Sequence, residues 1–223
     1  MQHYQTRDEI ITITDNAFLI RSLKDRQQFY DHEHAAEALG ISSASWPLFG
    51  VVWPSSRILA TAVSLLELDG RRVLEIGCGL ALSSIVLHKM GVDITASDYH
   101  PLAKEFLDDN VVRNALPPIK FQSGNWETEN PLLGDFDLII GSDVLYEPAH
   151  ANTVSRFIDC HSSVNVDVII VDPNRGNRSG FTRRMLALGY VHRFERFDVQ
   201  DQDGANCKGR ILHYQRRYGG NFD

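Results

Sequence analysis

The residues best suited to chemistry lie close together near the middle of the chain. Glu75-Ile76-Gly77-Cys78-Gly79 sets two glycines one residue apart just after an acid, and a second acid, Asp98, follows the first glycine by 21 positions. Glycine lets a backbone turn tightly and approach a bound group closely, and the free N–H groups of a helix that starts there face the same space. An acid at the tip of the next strand accepts hydrogen bonds from a ribose diol. This is the chemistry of holding a nucleotide-derived cofactor. The elements needed to position it are present in the same stretch. Residues 73–76 (VLEI) are β-prone and bounded by Gly77, residues 80–90 carry apolar side chains at helical spacing and stop at Gly91, and residues 94–97 form a second short strand ending at Asp98. Strand, glycine turn, helix, strand and acidic turn make one βαβ unit.

Two cofactor classes compete for such a turn. A dinucleotide site wants G-x-G-x-x-G, and here Leu82 stands at the third glycine position. Glu75 at the end of the first strand is an odd neighbour for a pyrophosphate, because like charges repel, and a sensible one for a cation such as the amino group of a methionine-derived cofactor. E-x-G-x-G followed by a strand-end Asp is therefore better explained by S-adenosylmethionine, with Asp98 on the ribose and the loop of Gly77, Cys78 and Gly79 around the amino acid and sugar.

The rest of the chain supplies a frame for this unit. At 223 residues and 43% hydrophobic content it suits one domain, or one domain with an added N-terminal segment. Residues 9–21 read as a β-hairpin around Asp15-Asn16, and residues 24–45 are polar with a short helix ending at Gly40. Residues 55–68 carry an apolar helical stripe opened by Pro54 and closed by Asp69-Gly70. Beyond the central unit, helices are expected over 101–115, 148–161 and 179–188, and strands over 120–122, 136–141 and 166–171. The strand-like segments 190–199 and 209–217, joined by a polar turn over 201–208, read as an antiparallel hairpin. The alternation from Arg72 onward predicts an open, mostly parallel α/β sheet that binds ligands beyond the carboxyl ends of its strands.

Composition narrows the partners. Against 29 acidic residues stand 22 Lys and Arg, a formal charge of −7 with no basic tail, which argues against duplex nucleic acid and allows a basic peptide or protein substrate. Cys78, Cys160 and Cys207 have no CxxC spacing, so neither a disulfide framework nor a zinc site is expected, and a reducing cytoplasm is the expected location. The N-terminus lacks an apolar signal core and no apolar run is long enough to span a bilayer, so neither secretion nor membrane insertion is expected.

Five segments, GVVWPSSRILA, VLEIGCGLALSSIVLHKMG, ITASDYHP, GNWE and FDLIIGSDVLYEP, together resemble the seven-strand (class I) S-adenosylmethionine-dependent methyltransferases, and within them the lysine-methyltransferase-like group called methyltransferase family 16. The resemblance runs from about Gly50 to the C-terminus. It implies a Rossmann-like seven-stranded, mostly parallel sheet with a terminal antiparallel hairpin, as a domain over residues 50–223 behind an N-terminal hairpin and helix extension over 1–49. It also implies that Trp53 packs at the cofactor site, that Glu75, Gly77 and Gly79 form the first loop, that Asp98 clasps the ribose, that Trp126 borders the adenine, and that Ser142 lies beside the cofactor. Asp143 and Tyr146, which match the group's D-x-x-Y signature, would face the substrate as the catalytic pair. The residue before the tryptophan, commonly acidic in the group, is Asn125, an amide that can still hydrogen-bond adenine.

The favoured acceptor is a protein lysine. Histidine, a small molecule or a nucleic-acid base remain as alternative acceptors, although no Asn-Pro-Pro-Tyr-type tetrapeptide and no separate basic module speaks for a base. A non-catalytic cofactor-binding module stands as an alternative of another class, and an NAD-dependent oxidoreductase ranks last. His32-x-His34 has no third ligand in a recognised spacing and reads as a solvated loop. Arg175, Arg178, Arg183 and Arg184 could bind an acidic substrate or phosphate, but a charged helix face with its preceding loop is the favoured reading. Asn110 and Asn114 share one helical face.

Overall fold

The computed structural model describes residues 4–128, 130–200, 204 and 206–217. Its elements run β1 (Thr6–Ile13), β2 (Asn16–Leu23), α1 (Ala35–Ala38), a 3-10 turn (Trp46–Gly50), α2 (Pro54–Ser64), β3 (Arg72–Ile76), α3 (Leu82–Lys89), β4 (Asp93–Asp98), α4 (Ala103–Arg113) and β5 (Lys120–Ser123). They continue with β6 (Phe136–Ser142), α5 (His150–Cys160), β7 (Ser162–Asp172), α6 (Arg178–Ala187), β8 (Val191–Gln200) and β9 (Asn206–Arg216).

Seven strands form one sheet in the order β5-β4-β3-β6-β7-β9-β8, and β1 with β2 forms a separate hairpin. The pairs β3/β4, β4/β5, β3/β6 and β6/β7 are parallel, while β9 runs antiparallel to both β7 and β8. The expected α/β sheet with a terminal antiparallel hairpin is thus observed. The turn expected over 201–208 lies partly outside the described residues. Strand order reverses at β3, so the carboxyl ends of β3, β4 and β6 diverge around one crevice, the place where open α/β sheets bind ligands.

Side-chain alternation sorts the strands onto two cores. Val73, Leu138, Ile140, Ile169 and Val171 pack with α2, α3 and α4 on one face, and Leu74, Ile76, Ile139, Val168 and Ile170 pack with α5 and α6 on the other. A period of two with both faces apolar is what a strand covered by helices on both sides requires.

Several expected bounds shift: β7 starts at Ser162, four residues before the expected 166, and two further changes have a local cause. The β1/β2 register pairs Ile13 with Asn16, so the turn residues are Thr14 and Asp15, one position earlier than the Asp15-Asn16 pair, and Thr14 takes φ of 50°. The helix expected to reach Leu68 ends as α2 at Ser64: Leu65 is 72% exposed, whereas Leu68 is buried. Past Val63 the stripe has no core to cover, and breaking the helix lets Leu68 turn inward.

The N-terminal hairpin is not a loose appendage. Ile11, Ile13, Phe18 and Ile20 belong to the same apolar cluster as α2, α3 and α4. On α4, Asn110 accepts the Arg21 N–H through Oδ1 at 2.7 Å and donates to the Arg21 carbonyl through Nδ2 at 3.2 Å. Asn114 does the same for Leu19 at 3.0 and 2.8 Å. Residues four apart on a helix share a face, as residues two apart on a strand share an edge, so two amides stand in for a neighbouring strand along β2. Asn110 is fully buried. Asn110→Ala is expected to lower unfolding free energy by about 1–3 kcal/mol, because it strands the part-buried N–H and carbonyl of Arg21. Urea unfolding measures this, and a loss under about 0.5 kcal/mol would contradict it.

Candidate functional site

A cavity of about 840 Å³ opens at the carboxyl ends of β3, β4 and β6. Its wall includes Trp53, Gly77, Cys78, Gly79, Asp98, Asn125, Trp126, Ser142, Asp143 and Tyr146. Ten of the eleven residues singled out from the sequence therefore meet in one place. The exception is Glu75.

The glycine loop has the shape its sequence demands. Gly77 and Gly79 adopt φ of 57° and 53°, and Ala81 at 58° starts α3 two residues later than the apolar pattern suggests. A Cβ on Gly79 would lie 2.8 Å from the Phe49 carbonyl oxygen, and one on Gly77 would meet the Val144 and Trp126 side chains at 3.0 and 3.1 Å. Close approach of chain on both sides, as well as positive φ, excludes larger residues at these two points. Asp98 ties the loop down: Oδ2 accepts the Gly79 N–H and Oδ1 the His100 N–H, both at 2.8 Å. Each oxygen keeps a lone pair for a further donor.

Glu75 stands behind this loop and does not face the cavity. It is 2% exposed on the α2/α3 side of β3, and its Oε2 accepts both the N–H and the hydroxyl of Ser84, at 2.8 and 2.5 Å, in the first turn of α3. Where the sequence suggests an acid beside a cofactor cation, the carboxyl holds the first turn of α3 and is not part of the cavity wall. The reason is the strand period of two, which sends Glu75 beneath α3 while its neighbours Leu74 and Ile76 point to the other face.

Burial pushes the Glu75 carboxyl up to about 7, against the pull of the Ser84 bonds and with an added push from Asp98. The folded chain therefore keeps a proton that the unfolded chain releases near 4.5, so this contribution to stability is complete below that pH and is lost as pH rises through about 7. His100 has the opposite sign: burial lowers it from 6.5 to about 3, so its contribution is complete above 6.5 and is lost as pH falls through about 3. Glu75→Gln keeps an oxygen for Ser84 and removes only the carboxyl's part. The stability of the parent minus that of Glu75→Gln is expected to fall by roughly 2–3 kcal/mol between pH 4.5 and 8. A flat difference in urea unfolding across that range would contradict the assignment.

On the opposite wall, β6 ends at Ser142 and the chain turns through Asp143 at φ of 55°, with its N–H bonded to the Val171 carbonyl at 2.8 Å. Both Asp143 oxygens accept from Arg175, Oδ1 from Nε at 2.8 Å and Oδ2 from an Nη at 2.7 Å. Arg175 also lines the cavity. Its sequence context favours a charged loop, and no spacing rule connects it to Asp143, because the two meet only when β6 and β7 pair. Tyr146 is 45% exposed, and its hydroxyl has no hydrogen-bond partner among the described residues. Burial, then the carboxylates of Glu147, Asp98 and Asp143 with the Tyr99 hydroxyl, push Tyr146 up to about 12, which keeps it a donor at neutral pH. The His150 ring stands edge-on between Trp126 and Tyr146, at 5.1 and 4.5 Å, and burial holds it below the usual histidine value.

The N-terminal segment closes the third side. Leu39, Ile41, Ser45, Leu48 and Phe49 line the cavity. Tyr99 donates its hydroxyl to the Leu39 carbonyl at 2.7 Å, the His100 ring stacks on Phe49 at 3.7 Å, and Trp53 donates Nε1 to the Leu48 carbonyl at 2.9 Å. Asn125 has its Oδ1 on the Glu127 N–H, which leaves the amide nitrogen as the group to offer a ligand. His32 and His34 belong to no metal-binding group among the described residues.

The dimensions fit a nucleoside-bearing cofactor: a cradle where a Cβ would intrude, a carboxylate with free lone pairs, and two tryptophans at the rim. Similarity to known proteins agrees. A zebrafish (Danio rerio) electron transfer flavoprotein beta subunit lysine methyltransferase is 29% identical over 162 residues, 70% of this chain and 59% of the relative. The mouse (Mus musculus) protein N-lysine methyltransferase METTL21A is 35% identical over 106 residues, 43% of this chain and 47% of the relative. The chain thus spans about half to three-fifths of the length of the curated relatives it matches. Among solved structures, a SAM-dependent methyltransferase from Methanosarcina mazei superposes with a TM-score of 0.58 at 14% identity, covering 74% of this chain and 98% of that one, which shows a shared fold. The family model described as lysine methyltransferase matches residues 43–185, from the segment that closes the cavity through β3, β4, β6 and most of α6, and the chain belongs to that family.

Proposed function

We propose that this chain transfers a methyl group from S-adenosylmethionine to the side-chain amine of a lysine in a protein substrate. What supports this most is one juxtaposition: the glycine loop with Asp98 on one wall of the cavity, and Asp143 with Tyr146 on the other. The family match over residues 43–185 and the lysine methyltransferases among its relatives point the same way. Residues 50–223 would be the catalytic domain, with residues 1–49 an extension that caps the cofactor end, and a reducing cytoplasm is the proposed location.

In this reading Asp98 clasps the ribose, Gly77, Cys78 and Gly79 admit the amino acid and sugar, and Asn125 offers its amide nitrogen to an adenine bordered by Trp126. Trp53 and Ser142 complete the pocket. Glu75 acts through the loop by anchoring α3. Bound S-adenosylmethionine supplies a methyl group on a sulfonium, open to in-line displacement. The residues of the chain do the rest by orientation and exclusion of water. A lysine amine, with a free pKa of about 10.4, must be neutral to attack. A lone carboxylate would hold it protonated. Asp143 is already paired with Arg175, so it can accept a hydrogen bond and align the amine without that penalty, while the protonated Tyr146 walls the channel. Titration calorimetry tests the first half: tight binding of S-adenosylmethionine and none of NAD is expected, and the reverse would refute it.

A further inference from the structure

Beside the cavity mouth the chain gathers positive charge that the reaction does not use. Asp172, at the end of β7, pairs across the sheet with Arg210 on β9, which pairs with Arg196 on β8, so the three share one face. Arg178 at the start of α6 reaches over this face and donates to Asp172 Oδ2 at 3.1 Å and to Asn174 at 2.8 Å. The Arg210 guanidinium lies 4.5 Å over the ring of Phe194, which is 42% exposed. Among the described residues neither Arg196 nor Arg210 has a carboxylate within ion-pair distance; the next rung carries its own pair, Lys208 with Asp198. His192, stacked on Tyr214 on the same face, is held below the usual value by burial and then by Arg178 and Arg210, which reports the local field.

Arg196 and Arg210 lie directly opposite one another, and Asp172 on the same face is already paired with Arg178, so in a chain of net charge −7 the two guanidinia are left to repel each other. We propose that Arg178, Arg196 and Arg210 form a docking site for an acidic segment of the substrate polypeptide, close in space to the residue that enters the cavity. The inference rests on the proposed methyl transfer only for the word substrate. Guanidinium forks match carboxylates, and such pairs steer and orient a partner more than they tighten it. The location fits: the Arg175 N–H bonds to Asp172 Oδ1 at 3.3 Å, so the turn that carries Asp143's partner also carries Arg178. Among the described residues β8 ends the sheet, and its outer edge there offers backbone groups that an extended polypeptide can use. A nucleic acid has no peptide backbone to pair along that edge and would gain nothing from it.

The test is fluorescence anisotropy of a fluorescein-labelled poly-glutamate peptide carrying one lysine, with the full chain at low and high salt. Salt-sensitive binding is expected, weakened about tenfold or more in Arg196→Glu/Arg210→Glu. Arg196→Ala, at an exposed side chain, should weaken it severalfold with no cost in folding. Equal binding by the parent and both variants would overturn the site, as would preference for a neutral peptide or for oligo-uridylate RNA. Calorimetry of S-adenosylmethionine with the same double variant should give the parent's affinity. Loss of cofactor binding in the parent itself would strike the methyl-transfer reading and leave the anisotropy result standing.

Discussion

Asp98→Ala is expected to weaken S-adenosylmethionine binding by about 100-fold or more, the largest effect on cofactor affinity of any single change at the site. Two contributions combine. A ribose diol would donate to both carboxylate oxygens, and hydrogen bonds to a charged group are each worth about 1.5–3 kcal/mol, enough together for that factor. The same oxygens hold the Gly79 and His100 N–H groups, so alanine also releases the glycine loop from β4. Asp98→Asn keeps one oxygen and the volume, and should fall between the two. Calorimetry that found the parent's affinity in Asp98→Ala would remove the ribose role.

For turnover the largest expected loss comes at Asp143. Asp143→Ala should reduce methyl transfer roughly 100-fold, the scale of a misaligned reacting group, with cofactor affinity unchanged because Asp98 and the loop are untouched. Arg175→Ala separates alignment from charge. It leaves Asp143 as a bare carboxylate facing the amine, which raises the pKa of that amine. The acid limb of the pH–rate profile should therefore move to higher pH in Arg175→Ala. Full turnover in Asp143→Ala, or an unmoved limb in Arg175→Ala, would show that the pair is a structural clamp alone.

Much of this was legible in the chain itself. The near-continuous apolar runs at residues 73–76 and 136–141 mark strands covered on both faces, and two glycines one residue apart after a strand leave few alternatives to a cofactor turn. The hairpin at the end of the sheet followed from two β-prone runs. What escaped is what depends on neighbours distant in sequence. Glu75 reads as a strand-end acid near a ligand, yet only the placement of α3 over β3 shows its carboxylate spent on Ser84. Asn110 and Asn114 read as helix decoration, because nothing local reveals that β2 lays its open edge against them. Arg175 lies 32 residues from Asp143 and becomes its partner only through the register of β6 with β7. The capping of the cavity by residues 39–49 likewise has no sequence signature, since Tyr99 and His100 select it by contacts to Leu39 and Phe49.

The most direct test of lysine methylation is incubation of the purified chain with isotope-labelled S-adenosylmethionine and a cell lysate, followed by mass spectrometry of the labelled protein bands. Label on a lysine side-chain nitrogen, lost in Asp143→Ala, is the predicted result. Label on histidine, or no labelled protein while the cofactor binds, would contradict it.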